Sequence, residues 1–319
     1  MVLVVHLGAG ESPFDARSFT EKLALRKKYR RLVRNVYRIG SAGQTPESIF
    51  QEVSELIELD PLTNSGHNGN LNIEGQLRCD ASVVKWADGE IDCFSMGDIP
   101  SLTPMKVVLA QLNAVSKGNV LKPVTLVANN EGKCNCNDKD ANKDKNVSAG
   151  GCTEHYSNDT IGVILHTTEE CLCGSSSAGN MNKPIGRLGS AAVIGAGCWT
   201  AVDKAKGLIC SVCTSGSGED IIISQLARSV SQRLLERFDM NAESTMVSHL
   251  LDSIILETFQ FLNLRYGKIY VGIVGVISMD KGSIVFVYHT TPIFIFGIEG
   301  ECYFSDNPHC GQEWWLPAP

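Results

Sequence analysis

The second half of the chain alternates short apolar runs with two longer amphipathic stretches. The short runs are rich in Val, Ile and Cys, which is typical of strands rather than helices. The predicted strands cover residues 160–166, 171–175, 191–200, 208–214, 268–278, 283–289 and 293–298, and the predicted helices cover residues 219–237 and 243–261. Residues 271–277 are apolar on both faces of their strand, so we expect this sheet to be covered on both sides.

The first half combines one apolar strand, residues 2–6, with three helices. The first helix is predicted over residues 19–36. Proline is favoured in the first helical turn, so the Thr-Pro pairs at Pro46 and Pro104 each predict a helix start. These helices are expected to run to about residue 59 and to Gly118. An Asn- and Gly-rich loop lies between them and leads into short strands.

Residues 129–158 separate the two halves. Asn, Asp, Lys, Gly and Ser dominate this segment, so few of its side chains could enter a core. We therefore expect a polar linker or surface loop. Helices that precede the strands and follow them again favour a layered arrangement, with sheets inside and helices outside.

Composition and charge limit the possible functions. The chain has 319 residues, of which 43% are hydrophobic, and its net charge is −7. A general nucleic-acid binder normally carries a basic surface, so we expect no nucleic-acid partner. No apolar stretch is long enough to span a membrane and the N-terminus does not read as a signal peptide, which predicts an intracellular protein of the cytoplasm or nucleus.

The first predicted helix carries a basic stripe with two possible interpretations. Its members are Arg26, Lys27, Lys28, Arg30, Arg31 and Arg34. Such a stripe suits a nuclear-import or nucleic-acid patch, but it is more often a solvated helix face, which we favour.

Twelve cysteines occur in the chain. Several lie in apolar or strand-like surroundings, where a free cysteine behaves as a small core residue; these are Cys79, Cys93, Cys198, Cys210 and Cys213. Cys134, Cys136 and Cys152 lie in the linker and suit either a structural zinc ion or free thiols, of which we favour free thiols.

The junction Asp159–Thr160 is the strongest candidate for chemistry. If this peptide bond were cut, the Thr160 hydroxyl would become a nucleophile and its new α-amine would be the base. An α-amine suits this role because its ordinary pKa is about 8. The alternative is that Thr160 only begins a strand after a turn.

Six other positions could complete such a site. The Ser177 hydroxyl could hydrogen-bond the nucleophile, and the planar fork of Arg187 is suited to a carboxylate. Ser215 and the Gly216 N–H, in a Gly-Ser turn, could form an oxyanion hole, and Asn64 could add an amide donor. Gly8 would let the first strand approach the site without a Cβ.

In their order these motifs resemble the N-terminal-nucleophile hydrolases of the plant-type asparaginase and glycosylasparaginase family. The matching elements lie at 6–10, 63–66, 159–162, 186–189, 195–197 and 215–219. The resemblance implies an α+β fold, a four-layer αββα sandwich. It also implies autocleavage into an α chain, 1–159, and a β chain, 160–319, which together form one domain. A homodimer of αβ units is implied too, and no metal or organic cofactor is expected.

Within that family the chain is most similar to the threonine aspartase (taspase) branch. Residues 70–75, 79–82, 197–199 and 288–291 look like segments of that branch, and Ser177 stands where asparaginases have a second threonine. Ser190 stands where asparaginases have an aspartate that binds the α-ammonium of the substrate. A residue inside a polypeptide has no such ammonium, so Ser190 favours a peptide substrate.

The predicted function is therefore a threonine endopeptidase that cleaves itself after Asp159 and then cuts proteins or peptides after aspartate. Arg187 would bind the aspartate carboxylate next to the scissile bond. Two alternatives remain open: an isoaspartyl peptidase or asparaginase, and an uncleaved, non-catalytic member of the family.

Overall fold

Two β-sheets lie face to face between two layers of helices. The computed structural model describes residues 1–15, 17–40, 44–114, 122–128, 160–239, 246–309 and 311–318. The strands are β1 (Val2–Gly10), β2 (Cys79–Ala87), β3 (Glu90–Ile99), β4 (Thr125–Val127), β5 (Ile161–His166), β6 (Glu170–Ser177), β7 (Cys198–Asp203), β8 (Leu208–Gly216), β9 (Val271–Met279), β10 (Gly282–His289), β11 (Ile293–Ile298), β12 (Glu301–Ser305) and β13 (Gln312–Pro317). The helices are α1 (Phe19–Gly40), α2 (Pro46–Glu58), α3 (Pro104–Leu112), α4 (Gly218–Ser224), α5 (Leu226–Arg237) and α6 (Val247–Phe259).

The first sheet mixes strands from both halves of the chain. Within the described residues it has eight strands in the order β12-β11-β1-β5-β6-β2-β3-β4, and the second sheet has five in the order β13-β10-β9-β8-β7. Strand β5, which follows Thr160, therefore lies in the middle of the first sheet between β1 and β6.

Three hydrophobic cores separate the four layers. One lies between α1–α3 and the eight-stranded sheet and includes Tyr29 and Phe50. A second, between the sheets, includes Ile164 and Val274. The third covers the outer face of the five-stranded sheet and includes Leu234. The predicted α+β fold, a four-layer αββα sandwich, is thus confirmed.

Helix starts follow the sequence rules, but two predicted elements are wrong. Thr45 caps α2, its Oγ1 accepting a hydrogen bond from the Ser48 N–H (3.3 Å), directly before Pro46. The predicted strand 191–200 is instead a 3-10 turn followed by β7, because the Ser190 carbonyl accepts the N–H groups of Val193 and Gly197 (both 3.1 Å). The predicted helix 219–237 is broken at Gln225, whose φ is 48°.

Several strands were missed or cut short in the sequence analysis. The segment through residue 82 is a full hairpin of β2 and β3, whose turn has positive φ at Asp88 and Gly89. Strands β12 and β13 occupy the last twenty residues, for which no element was predicted. The third helix ends at Leu112, and Gly118 lies outside the described residues.

The basic stripe of α1 covers its outer face. Lys27, Lys28, Arg30, Arg31 and Arg34 are exposed, whereas the opposite face packs on the sheet. Two members also contact aromatic rings: the Arg26 guanidinium lies over Phe14 and Phe304 at 5.2 and 5.1 Å, and that of Arg30 lies over Phe304 at 5.9 Å. Part of the basic stripe therefore packs against aromatic rings.

The core cysteines lie where their apolar surroundings predicted. Cys79, Cys198, Cys210 and Cys213 are buried and Cys93 is half-buried. The three linker cysteines, Cys134, Cys136 and Cys152, lie outside the described residues, so neither interpretation of them is tested.

Candidate active site at the head of the fifth strand

Thr160 lies directly before β5 and is only 4% exposed. The register pairs Ile161 with Ser176 and Gly162 with His6. Thr160 is therefore level with Ser177 at the end of β6 and beside the glycine turn of β1. Asp159 lies outside the described residues, so self-cleavage stays a prediction.

Ser177 is held at the end of β6, opposite Asp80 of β2. Its Oγ accepts a hydrogen bond from the Gly179 N–H (2.9 Å). The interaction of Ser177 with its neighbour Thr160 stays a prediction.

Asn64 ties the Asn-rich loop to the same strand end. Its Nδ2 donates to the Gly179 carbonyl (3.1 Å), its Oδ1 accepts the Asn70 N–H (2.7 Å), and its own carbonyl accepts the Ala178 N–H (3.0 Å). One hydrogen of the Asn64 amide is therefore bonded to the Gly179 carbonyl. An oxyanion role for Asn64 stays a prediction.

Ser215 and Gly216 bring the second sheet to the site. The Ala9 N–H donates to Ser215 Oγ (3.2 Å), which links β8 to the end of β1 and leaves the Ser215 proton free to donate. Gly216 has φ 125°, and a Cβ there would collide with the Tyr270 carbonyl oxygen, so only glycine fits. A hydroxyl and a backbone amide of this kind are the groups that an oxyanion hole needs.

Gly8 also has a positive φ, 113°. It lies in an irregular stretch of β1, where the pairing with β11 shifts between His6 and Ala9. The backbone requires glycine at this point, next to the head of β5.

Arg187 lies between the Ser177 side and the Ser215 side of the site. Its Nη1 is 2.8 Å from the point that a Cβ on Gly179 would occupy, and its Nη2 is 2.9 Å from the corresponding point on Gly218. These glycines lie two residues after Ser177 and Gly216. The guanidinium therefore bridges the ends of the two sheets.

The fork of Arg187 already holds a carboxylate that sequence reasoning missed. Arg187 Nε and Nη2 both donate to Glu219 Oε1, at 3.1 and 2.7 Å. Burial alone would raise the pKa of Glu219, but the hydrogen bonds and charge of Arg187 outweigh burial and lower it. One signal was available: Glu219 is in the first turn of α4, where a carboxylate is favoured.

Ser190 is 5% exposed and starts the 3-10 turn after the Gly-Arg-Leu-Gly segment. It lies close to α4, since its backbone nitrogen is 3.9 Å from the Cβ point on Gly218. The position where asparaginases have a carboxylate thus carries an uncharged side chain.

His6 is a buried neighbour of the nucleophile that the sequence analysis did not single out as a functional side chain. It is fully buried, and burial lowers its pKa to about 3, so the ring is neutral. Gly162 makes room for the ring, because a Cβ there would collide with His6 Nε2. The imidazole packs beside the Thr160 backbone.

The described residues contain neither a cluster of metal ligands nor a membrane-spanning helix. No group of three or more His, Cys, Asp or Glu side chains is arranged to hold a metal ion. No helix in the described part is long and apolar enough to cross a bilayer.

Comparison with known proteins identifies the family. The Asparaginase_2 family, described as asparaginase, matches residues 115–291, which is more than half of the chain. The chain belongs to this family of N-terminal-nucleophile hydrolases. The match includes the head of β5, Ser177, Arg187 and the Ser215–Gly216 turn.

Similar proteins carry one shared name. The chain is 26% identical to a probable isoaspartyl peptidase/L-asparaginase of Drosophila pseudoobscura pseudoobscura over 94% of this chain and 96% of that protein. It is also 26% identical to the isoaspartyl peptidase/L-asparaginase of Mus musculus, over 72% of this chain and 71% of the mouse protein. A probable isoaspartyl peptidase/L-asparaginase 2 of Arabidopsis thaliana is 29% identical over 44% of this chain and 37% of its own length.

Proposed function

We propose that the chain cleaves itself between Asp159 and Thr160 and then hydrolyses an aspartyl substrate with Thr160 as the nucleophile. The α chain would be residues 1–159 and the β chain residues 160–319. The observation that carries this proposal is the convergence of four separate segments on the head of β5. They contribute Ser177, Arg187, Ser215 and the Gly8 turn.

Self-cleavage would proceed through an ester. The Thr160 Oγ attacks the Asp159 carbonyl carbon, the C–N bond breaks, and the nitrogen takes the hydroxyl proton to become an amine. Water then hydrolyses the ester and releases the Asp159 carboxylate. The product has a threonine with a free α-amine at the start of the β chain, which is the activated nucleophile.

Turnover would use the same groups. The α-amine takes the Thr160 hydroxyl proton while Oγ attacks the substrate carbonyl. The Ser215 hydroxyl and the Gly216 N–H stabilise the oxyanion, and the leaving amine takes the proton from the α-ammonium. Water releases the acyl group. Arg187 holds a substrate carboxylate, and Ser177 orients Thr160.

The relatives favour a small β-aspartyl or asparaginyl substrate. Proteins named isoaspartyl peptidase/L-asparaginase match the chain over as much as 94% of its length. Isoaspartyl peptidase/L-asparaginase activity is therefore the first activity to test.

One observation favours a second candidate, the aspartate-specific endopeptidase. Ser190 provides no anion for a substrate α-ammonium, and a partly buried ammonium without an anion is costly. A polypeptide substrate avoids this cost because its residue has no free amine. Asp159 would then be the first example of the residue after which the enzyme cuts.

Association is a further part of the proposal. Two αβ units would form a homodimer, and the partner in turnover would be a protein or peptide with aspartate before the scissile bond, or a β-aspartyl compound. Light scattering on the processed protein would give twice the 34.6 kDa mass of the chain.

A substrate panel tests the function and separates the two candidates. The probes are a peptide with the sequence of residues 155–165, the same peptide with asparagine in place of aspartate, a β-aspartyl dipeptide and L-asparagine. Hydrolysis of the last two alone supports the isoaspartyl peptidase/asparaginase, and cutting of the first peptide after aspartate supports the endopeptidase. Thr160→Ala must abolish either activity. No hydrolysis of any probe by processed protein would overturn the proposal.

A further inference from the structure

Lys183 is an unusual lysine, because it is buried beside the candidate site without a hydrogen bond. Its side chain is 3% exposed, and its Nζ makes no hydrogen bond with any described residue. Its ion-pair partner is Asp80 Oδ2, at 3.6 Å. An ammonium has three donors, and burying them unused is costly.

Asp80 explains the charge of Lys183 but not its unused donors. The Asp80 carboxylate already accepts two backbone hydrogen bonds, from Gly189 at 2.7 Å and from Asp98 at 3.1 Å. It is completely buried, and burial raises its pKa. The pair is therefore close enough for attraction, while the Nζ hydrogens point to no described acceptor.

The Nζ of Lys183 lies near the unused edge of Arg187. Lys183 Nζ is 3.6 Å, and Arg187 Nη1 is 2.8 Å, from the one point that a Cβ on Gly179 would occupy. Glu219 accepts hydrogen bonds from Nε and Nη2 of the arginine. No described residue accepts a hydrogen bond from Nη1. Two cationic nitrogens with unused donors thus lie around one position, two residues after Ser177.

Two glycines, Gly179 and Gly189, lie next to the nitrogens of Arg187 and Lys183. Gly179 has φ +69°, which favours glycine. A Cβ on Gly189 would lie 3.0 Å from Arg187 Nη1 and 3.1 Å from Asp80 Oδ2. A side chain at Gly179 would collide with Arg187 Nη1 and one at Gly189 would crowd it, so the two glycines make room for the guanidinium beside Lys183.

We propose that Lys183 is the second cation of the substrate-carboxylate site. One carboxylate oxygen accepts from Arg187 Nη1 and the other from Lys183 Nζ. The inference rests on the proposed function, because the carboxylate belongs to the substrate that Thr160 attacks. It holds for both substrate candidates, since an aspartyl residue in a peptide and a β-aspartyl compound each present a free carboxylate.

This arrangement distinguishes a carboxylate from a carboxamide. A carboxylate offers an acceptor to each cation, whereas a carboxamide must turn its NH₂ group towards one of them. Losing a hydrogen bond to a charged group typically costs about 10- to 100-fold in binding. Lys183 would therefore set the preference for aspartate over asparagine at that position.

The rival explanation is that Lys183 only neutralises Asp80. Lys183→Met by itself leaves Asp80 buried without a partner, so the double variant Lys183→Met with Asp80→Asn is the matched control. Each protein is assayed for kcat/KM on the aspartate and asparagine forms of the 155–165 peptide. The shift in melting temperature caused by free aspartate is measured on the processed proteins, because aspartate has no amide bond for the enzyme to hydrolyse.

The proposal predicts that both variants lose the preference for aspartate by about 10- to 100-fold, and that aspartate no longer raises the melting temperature. Wild-type preference and a wild-type aspartate shift in the double variant would overturn it. So would an equal loss on both peptides together with an unchanged aspartate shift in the single variant. Failure of wild-type protein to self-cleave or to hydrolyse any probe counts instead against the proposed function.

Discussion

Two ion pairs meet at the candidate site, and they are built in opposite ways. Arg187 and Glu219 are joined by two hydrogen bonds to one oxygen, the shorter 2.7 Å, and the glutamate side chain is 43% exposed. Lys183 and Asp80 are almost fully buried, lie 3.6 Å apart and share no hydrogen bond.

This difference indicates what each pair contributes to stability and to the candidate site. Solvent screens the Arg187–Glu219 pair because the glutamate is half exposed, so the pair contributes little stability and mainly fixes the position of a guanidinium. A buried pair cannot lose one member without leaving a charge in the interior, so Lys183–Asp80 matters for folding as well as for the site.

The largest effect should follow from breaking the buried pair. Asp80→Ala leaves the Lys183 ammonium unpaired and removes the acceptor of two backbone N–H groups. We expect a loss of about 3–5 kcal/mol in the free energy of unfolding, measured by urea titration in the Thr160→Ala background. Glu257→Ala breaks an exposed pair with Arg237 and should hardly move the midpoint. Equal effects of the two substitutions would contradict the comparison.

Glu58 extends the comparison to a buried carboxyl that forms no ion pair with a described residue. Burial raises its pKa from 4.5 to about 8, although the Met105 N–H donates to its Oε1 at 3.0 Å. Between these two pH values the folded protein holds the proton and the unfolded chain has lost it. Stability should therefore fall as the pH rises through this window.

The slope should be on the order of 1 kcal/mol per pH unit. Glu58→Gln keeps the shape of the side chain but cannot titrate, so its unfolding free energy should vary less between pH 5 and pH 8. The measurement is urea unfolding at a series of pH values. Identical slopes for the two proteins would show that Glu58 is not the titrating group.

The Arg187–Glu219 pair should affect substrate binding more than stability. Glu219→Ala frees the guanidinium of Arg187 to move, so we expect KM for a carboxylate substrate to rise about tenfold, with unfolding free energy changed by about 1 kcal/mol or less. Glu219→Gln is the matched control. Both donors of Arg187 use a single oxygen, which the amide retains. A lower KM in Glu219→Ala would mean that Glu219 competes with the substrate.

The smallest effect is expected from adding a charge beside the pairs. Ser190→Asp restores an anion where asparaginases bind the α-ammonium, so a few-fold gain in kcat/KM on L-asparagine or a β-aspartyl dipeptide is expected. Ser190→Asn, similar in size and uncharged, should show no gain. A gain on the 155–165 peptide instead would speak against the assignment of position 190 to the ammonium.

Local chemistry made much of the fold predictable. The Thr-Pro starts of α2 and α3, and the apolar runs of β5, β8 and β9, follow from local rules that hold in any tertiary context. The motif order also pointed to the αββα layers. Locally unusual backbone was not predictable, such as the break at Gln225.

The other features that could not be predicted are contacts between segments that are distant in the sequence. Asp80 and Lys183 are separated by more than a hundred residues, and Glu219 meets Arg187 only because α4 begins where β8 ends. No spacing rule reports such pairs. Thr160, Ser177, Arg187 and Ser215 could be proposed from the sequence because each lies in a local motif, whereas the buried lysine lies in none.

The central claim is that Thr160 becomes a new N-terminus, and intact mass measures this directly. Freshly purified protein is compared with Thr160→Ala and with Thr160→Ser, which keeps a hydroxyl. The account predicts two chains of 159 and 160 residues for the natural sequence, slower appearance of the same pair for Thr160→Ser, and one intact chain for Thr160→Ala. A single uncut chain from the natural sequence, or the same two chains from Thr160→Ala, would contradict it.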